Sequence, residues 1–114
     1  MSPARRRIGR RRVHTASWRR AGRLVPRAAP GLRARAVILP RGGLMDWHST
    51  ERREELIIAL AGTVALEVLG RSGRRTATRL GAGRCAFLGP ATVHRVVNRS
   101  RAPARYLYVT APAS

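Results

Sequence analysis

Lysine is absent from this chain, and acidic residues are scarce. All 24 basic residues are arginine, only five residues are acidic, and the formal net charge is +19. The exclusive use of arginine is the pattern expected of a genome rich in G and C. The absence of lysine therefore says more about the composition of the genome than about the function of the protein.

Cysteine and long apolar runs are also nearly missing. Cys85 is alone, so no disulfide can form within the chain and a reducing compartment is expected, with Cys85 as a small buried apolar residue. The longest uncharged apolar run, Leu56–Leu66, is too short to cross a bilayer. The N-terminus has the positive region of a signal peptide without its apolar stretch. We therefore expect a cytoplasmic protein with no membrane segment.

The positive charge is concentrated at the N-terminus. Residues 1–30 hold ten arginines, no acid and no regular apolar period, which predicts a solvated, disordered arm. Such an arm is suited to weak, non-specific contact with nucleic acid, because clustered arginines displace counterions from phosphates. A dispensable tail, an over-extended start site and an organelle transit peptide fit the same residues. The first domain boundary is thus expected at residue 30, with one folded domain over 31–114.

From residue 31 onward the sequence alternates short β-type runs with glycine, proline or polar turns. This spacing, without a helical segment, predicts an all-β sandwich or barrel of about eight strands, a small jelly roll. The predicted strands are 33–39, 44–49, 55–61, 63–69, 75–80, 84–88, 93–98 and 105–110.

Alternation within the strands assigns faces. His94 and Val96 share one face of their strand, which predicts that His94 points into the barrel. Residues 55–61 are apolar on both faces, so this strand needs a second cover. The 33–39 strand or a second copy of the chain would provide it.

Two spaced motifs carry a family resemblance. The first reads Gly42-x5-His48-x-Thr50-x4-Glu55-x6-Gly62, and the second reads Gly83-x5-Gly89-x-Ala91-x2-His94-x3-Asn98. They resemble the motifs G-x5-H-x-H-x3-4-E-x6-G and G-x5-P-x-G-x2-H-x3-N of the cupin superfamily, in its small single-domain (type-2) form. The resemblance covers about residues 35–111 and implies a cupin-type jelly-roll barrel.

The resemblance also implies a metal site. His48, Glu55 and His94 match the ligand positions of the family, and two imidazoles with one carboxylate suit Fe(II), with Mn, Ni or Zn as further possibilities. Thr50 stands where most metal-binding cupins have a second histidine, and Ala91 stands at a glycine position. An occupied metal site and a metal-free polar pocket, in which His48 bonds Glu55, both remain open.

Four residues are candidates for a second shell or for the cavity wall. Thr50 would offer a hydroxyl behind the metal or a water-bridged contact, since a neutral alcohol is a poor ligand. Tyr106 and Tyr108 share a face of the last strand, where they could line the cavity or serve as buried structure. Asn98 is expected to bond backbone at the end of its strand. No residue is identified as catalytic.

Three functional classes follow. The first is a metal-dependent enzyme, such as a dioxygenase, isomerase or lyase, acting on a small polar molecule. The second is a non-catalytic cupin that binds a small molecule or stores a metal. The third is a nucleic-acid-associated protein that uses its arm. A homodimer is expected from the two-sided strand at 55–61 and from the family's habit of pairing sheets.

Overall fold

The computed structural model describes residues 13–114, and those residues form an all-β structure. Residues 1–12, the most arginine-dense part of the expected arm, lie outside this range. Within residues 13–114 no helix has the length and apolarity needed to span a membrane. The strands are β1 (Gly22–Arg23), β2 (Arg33–Leu39), β3 (Leu44–Ser49), β4 (Arg53–Ala61), β5 (Thr63–Leu69), β6 (Arg75–Gly81), β7 (Cys85–Leu88), β8 (Val93–Val97) and β9 (Ala104–Pro112).

The strands form two antiparallel sheets that face each other. One sheet has the order β1-β2-β9-β4-β7 and the other has the order β3-β8-β5-β6. This is the two-sheet jelly roll that the sequence predicts, and the all-β prediction is confirmed. The eight predicted strands are all present, with bounds that agree to within two residues.

The core lies between the inner faces of the two sheets. Ile57 and Ala59 of β4 are buried against Val64 and Leu66 of β5 and Val96 of β8 within one apolar cluster. These positions alternate with exposed or half-buried ones because successive side chains of a strand point to opposite faces. The position of a polar residue in this alternation therefore decides whether its side chain also points inward.

Part of the segment that the sequence predicts to be a disordered arm pairs with the edge of the first sheet. In β1, Gly22 and Arg23 pair with Ala36 and Arg35 of β2, and the Leu24 N–H donates to the Ala34 carbonyl at 2.9 Å. Strand pairing therefore extends N-terminal to residue 30, where the sequence places the start of the folded domain. The physical reason is that β2 would otherwise leave a row of backbone groups unpaired at the sheet edge.

The outer face of β4 is left without a second layer in the described chain. β2, one of the two covers considered for this strand, lies in the same sheet, separated from β4 by β9. Leu56 and Ile58 pair with Phe87 and Cys85 of β7, and Phe87 is 64% exposed. Cys85 is exposed as well, so the expectation that it is buried is wrong. This surface, the outer β4–β7 face, is apolar and open.

Candidate metal centre

His48, Glu55 and His94 meet at the inner face of the barrel. His48 on β3 and His94 on β8 are directly paired across strands, and their ring centroids are 4.2 Å apart. Glu55 reaches them from β4, in the opposite sheet, where it shares a face with Ile57. The cluster therefore forms only when the two sheets close on each other.

The three side chains are close enough to share one ion. One ligand atom from each residue lies within 4.8 Å of the others, and no other such His/Cys/Asp/Glu group occurs in residues 13–114. Ligand atoms that each lie about 2.1 Å from one ion in a tetrahedral or octahedral arrangement are roughly 3.0–3.4 Å apart. A separation at the 4.8 Å limit would therefore have to shorten around an ion. Two imidazoles with one carboxylate suit a divalent first-row transition metal.

Both histidines are oriented by a backbone carbonyl two residues earlier in the chain. Nδ1 of His48 lies 2.7 Å from the Asp46 carbonyl oxygen, and Nδ1 of His94 lies 3.0 Å from that of Thr92. When each Nδ1–H donates to its carbonyl, each Nε2 keeps its lone pair for a metal. The backbone thereby selects the tautomer that ligation requires.

His94 and Glu55 also interact directly. Nε2 of His94 lies 3.2 Å from Oε2 of Glu55, and the two side chains are 0% and 7% exposed. Burial lowers the pKa of His94, but the bond to Glu55 and the Thr92 carbonyl outweigh burial, and the pKa is raised above 6.5. With His94 protonated, the pair would be a buried ion pair whose charges offset each other, and a metal ion bound at Nε2 would take the place of that proton.

Thr50 acts on the site through the backbone. Its hydroxyl donates to the Gly89 carbonyl at 2.8 Å and accepts the Thr92 N–H at 2.9 Å. Thr92 is the residue whose carbonyl holds His94. Thr50 therefore anchors the turn that orients a ligand, and the water-bridged alternative considered from the sequence is not needed.

Asn98 lies at the far end of β8 and does not line the cavity. Its side chain donates to the carbonyls of Leu39 at 3.0 Å and Ala102 at 2.8 Å and accepts the N–H of Ser100 at 3.0 Å. Its expected backbone bonding is what the structure shows. The motif asparagine connects the loop after β2 with the loop after β8 at a position that is 0% exposed.

The cluster opens into a cavity of about 830 Å³. Tyr106 and Tyr108 both line it, as the first of the two alternatives for these residues expects. Burial raises the pKa of the Tyr106 hydroxyl, which is buried and has no hydrogen-bond partner among the described residues. A volume of this size is suitable for a small organic molecule.

Sequence reasoning missed the arginines of the cavity wall. Arg23, Arg33 and Arg35 line the cavity beside the metal cluster. The signal was available in the stretch RARAVIL, since Arg33 and Arg35 share the parity of the buried residues Val37 and Leu39. Only the pairing of β2 with β9 shows that this face looks into the cavity.

Comparisons with known proteins agree with this geometry. The sequence model of the cupin domain family matches residues 35–110. Peruvianin-I, a cysteine peptidase from Thevetia peruviana latex, superposes with a TM-score of 0.66 at 20% identity over 72% of this chain and 51% of that one. This chain thus spans about half the length of that relative.

Two further solved structures are similar over more of their length. A predicted oxalate decarboxylase from Thermotoga maritima gives a TM-score of 0.71 at 19% identity over 82% of this chain and 79% of that one. A Cupin 2 conserved barrel domain protein from Salinispora arenicola gives 0.67 at 25% identity over 82% and 76%. A search of curated proteins finds no match. Since the family match extends over more than half of the sequence and includes both motifs, this chain belongs to the cupin domain family.

Proposed function

We propose that this protein binds one divalent metal ion through His48, Glu55 and His94, and binds or transforms a small polar molecule in the adjoining cavity. The observation that carries the proposal is the cluster itself, with its ligand atoms within 4.8 Å of one another at the wall of an open cavity. Fe, Mn, Ni and Zn all accept such a donor set.

The chain's own residues would divide the work. His48, which is exposed, lies at the open side of the cluster, while the buried pair Glu55 and His94 closes its inner side. The Tyr106 hydroxyl would donate a hydrogen bond to a bound molecule. A bound metal would supply Lewis-acid activation, and iron or manganese could add redox chemistry of the oxygenase, isomerase or lyase type. Similarity to the predicted oxalate decarboxylase of Thermotoga maritima is compatible with a substrate that chelates metal.

A metal-free, non-catalytic binding protein is the second candidate. It is favoured by the direct His94–Glu55 contact at 3.2 Å, which satisfies both groups without an ion, and by Thr50 in place of a fourth ligand. In that case the cavity would bind an organic molecule alone.

Metal binding separates the two candidates. Protein purified without an affinity tag, stripped with a chelator and then titrated with Zn²⁺, Ni²⁺, Mn²⁺ or Fe²⁺ should bind one equivalent and melt at a higher temperature. His94→Ala should remove both effects, whereas His14→Ala, which changes an exposed histidine outside the cluster, should remove neither. Wild-type protein that binds none of the four ions would leave the metal-free candidate.

We also propose a homodimer that covers the outer β4–β7 face. Leu56, Ile58 and Phe87 form an apolar surface there, and an exposed aromatic on a flat sheet is a common dimer contact. A cytoplasmic location rests on the single cysteine. Weak nucleic-acid contact through residues 1–30 rests on their arginine content, most of which lies outside the described residues.

A further inference from the structure

The cavity wall beside the metal cluster is strongly positive. Of the charged side chains that line it, five are arginine and two are acidic, an excess of three positive charges. Within residues 13–114, neither Glu55 nor Asp46 forms an ion pair with an arginine. A divalent metal would make the cavity more positive still.

Three of these arginines, Arg23, Arg33 and Arg35, form the arginine trio. No carboxylate of residues 13–114 lies within ion-pair distance of any member of the trio. A fourth, Arg53, is occupied in a different way, because it donates to the Thr110 hydroxyl at 2.9 Å and to the Thr110 carbonyl at 3.0 Å. Arg27, the fifth, forms no ion pair within residues 13–114 either, so the free guanidinium donors of the wall belong to the trio and to Arg27.

Strand register fixes where the trio lies relative to the metal cluster. Arg33, Thr110 and Glu55 stand side by side on β2, β9 and β4. Since neighbouring strands are about 4.8 Å apart, the backbones of Arg33 and Glu55 are roughly 10 Å apart. Arg35 lies in the next inward row with Tyr108. A molecule of a few carbon atoms would reach from the cluster to the guanidinium groups.

Two further observations point to a ligand in this space. The Tyr106 hydroxyl is a buried donor without a partner, on a side chain that is 1% exposed, and it lines the same cavity. Arg23 pairs with Arg35, and Arg35 pairs with Tyr108 on the neighbouring strand, so the three side chains share one face of the sheet. An anionic, oxygen-rich molecule would offset the repulsion between the arginines and would accept a hydrogen bond from the buried tyrosine hydroxyl.

We propose that the arginine trio is an anion subsite, and that the molecule taken by this cavity is a small organic dianion with one acid group at the trio and a second oxygen donor at the metal. The metal-bound end rests on the proposed function, and the trio end does not. Arginine is suited to this role because its planar fork binds carboxylate and phosphate in two-point fashion. The acid group at the trio can be a carboxylate or a phosphate, since both present that geometry.

Binding of four probes tests the subsite. Full-length protein, metal-free and Zn²⁺-loaded, is titrated by calorimetry with succinate, malonate, phosphoglycolate and uncharged succinamide. We expect at least one of the three anions to bind and succinamide not to bind, with an affinity that falls as salt rises. Comparing the affinities of succinate and malonate with that of phosphoglycolate shows whether the cavity prefers a carboxylate or a phosphate ligand.

Two double variants that remove the same charge distinguish the effect of arginines in the cavity from the effect of arginines elsewhere in this basic chain. Arg33→Gln with Arg35→Gln should weaken binding of the preferred anion at least tenfold. Arg71→Gln with Arg74→Gln removes the same charge from the exposed β5–β6 turn and should leave affinity within twofold. Tyr106→Phe should weaken binding severalfold without lowering the melting temperature, because the hydroxyl it removes has no partner.

The outcomes also separate this inference from the proposed function. If Zn²⁺ binds but no anion does, or if both arginine pairs weaken binding equally, the anion subsite is overturned and the metal site stands. If Zn²⁺ does not bind but the metal-free protein still loses anion affinity on changing Arg33 and Arg35, the metal proposal fails and the subsite stands. Zn²⁺ affinity in the Arg33→Gln/Arg35→Gln protein should be equal or tighter, because positive charge near the ion is removed.

Discussion

Replacing Thr50 by valine keeps the shape of the side chain and removes only its hydroxyl. The Thr92 N–H then loses its partner at 2.9 Å, whereas the Gly89 carbonyl keeps a bond from the Thr92 hydroxyl at 2.8 Å. One part-buried backbone donor left without a partner costs about 1–3 kcal/mol. For a domain of this size that corresponds to a fall in melting temperature of about 5–15 °C.

The same change should weaken metal binding. Without the Thr50 bond, the turn that carries the Thr92 carbonyl is less fixed, and that carbonyl orients His94. Loss of such an outer partner lowers metal affinity by about 10–100-fold in characterised sites. Calorimetric titration with Zn²⁺ and a thermal melt measure both effects, and Thr78→Val on an exposed position of β6 is the control. A Thr50→Val protein with unchanged melting temperature and unchanged Zn²⁺ affinity would refute the role assigned to this threonine.

Three further predictions concern the turn at Ala91, the ion pairs of Glu67 on β5 and the dimer. Ala91 has φ 55°, a left-handed conformation that favours glycine, so Ala91→Gly should raise the free energy of unfolding by about 1 kcal/mol in urea titrations, and a decrease would contradict the assigned strain. Bonds from Arg95 and Arg99 hold the pKa of Glu67 below 4.5, so this acid stabilises the fold above that pH and loses its effect as the pH falls through the lowered pKa. Glu67→Gln should therefore melt below wild type at pH 7 and approach it in acid; a gap that is independent of pH would argue against the ion pairs. Phe87→Arg should convert a dimer to a monomer in light scattering at tens of micromolar, and a wild-type protein that is already monomeric would reject the dimer.

The strands could be predicted from the sequence because their signals are local. Alternation in β5 and β8, and glycine or proline between the runs, predict strand positions without knowledge of the tertiary structure. The motif positions of His48, Glu55 and His94 then predict a cluster, and strand phase turns all three inward. Their convergence in space agrees with both arguments.

The roles of individual polar side chains could not be predicted in the same way. Thr50 bonds residues 39 and 42 positions away, and Asn98 bonds Leu39 across 59 positions. No local pattern encodes such pairings, because they depend on which loops meet after the sheets close. The arginine trio was missed for a related reason, since only the β2–β9 pairing shows that the face carrying Arg33 and Arg35 is turned toward the cavity.

The layering of the apolar strands also required the tertiary structure. A strand sequence that is apolar on both faces predicts that another layer covers each face, but the pattern does not identify which segment or chain forms that layer. β2 is apolar enough to serve, yet it joins the same sheet through β9 and leaves Leu56 and Ile58 only half-buried. Likewise β1 pairs with the edge of β2 although its own two residues, glycine and arginine, carry no strand signal.

Anomalous X-ray diffraction from a crystal of the tag-free protein soaked in Zn²⁺ tests the central claim most directly. The account predicts one strong anomalous peak per chain, at about 2.0–2.2 Å from Nε2 of His48, Nε2 of His94 and a carboxylate oxygen of Glu55. The peak should be absent from crystals of His94→Ala. An anomalous map with no peak at this cluster, or with its peak bound only by other residues, would contradict the metal centre.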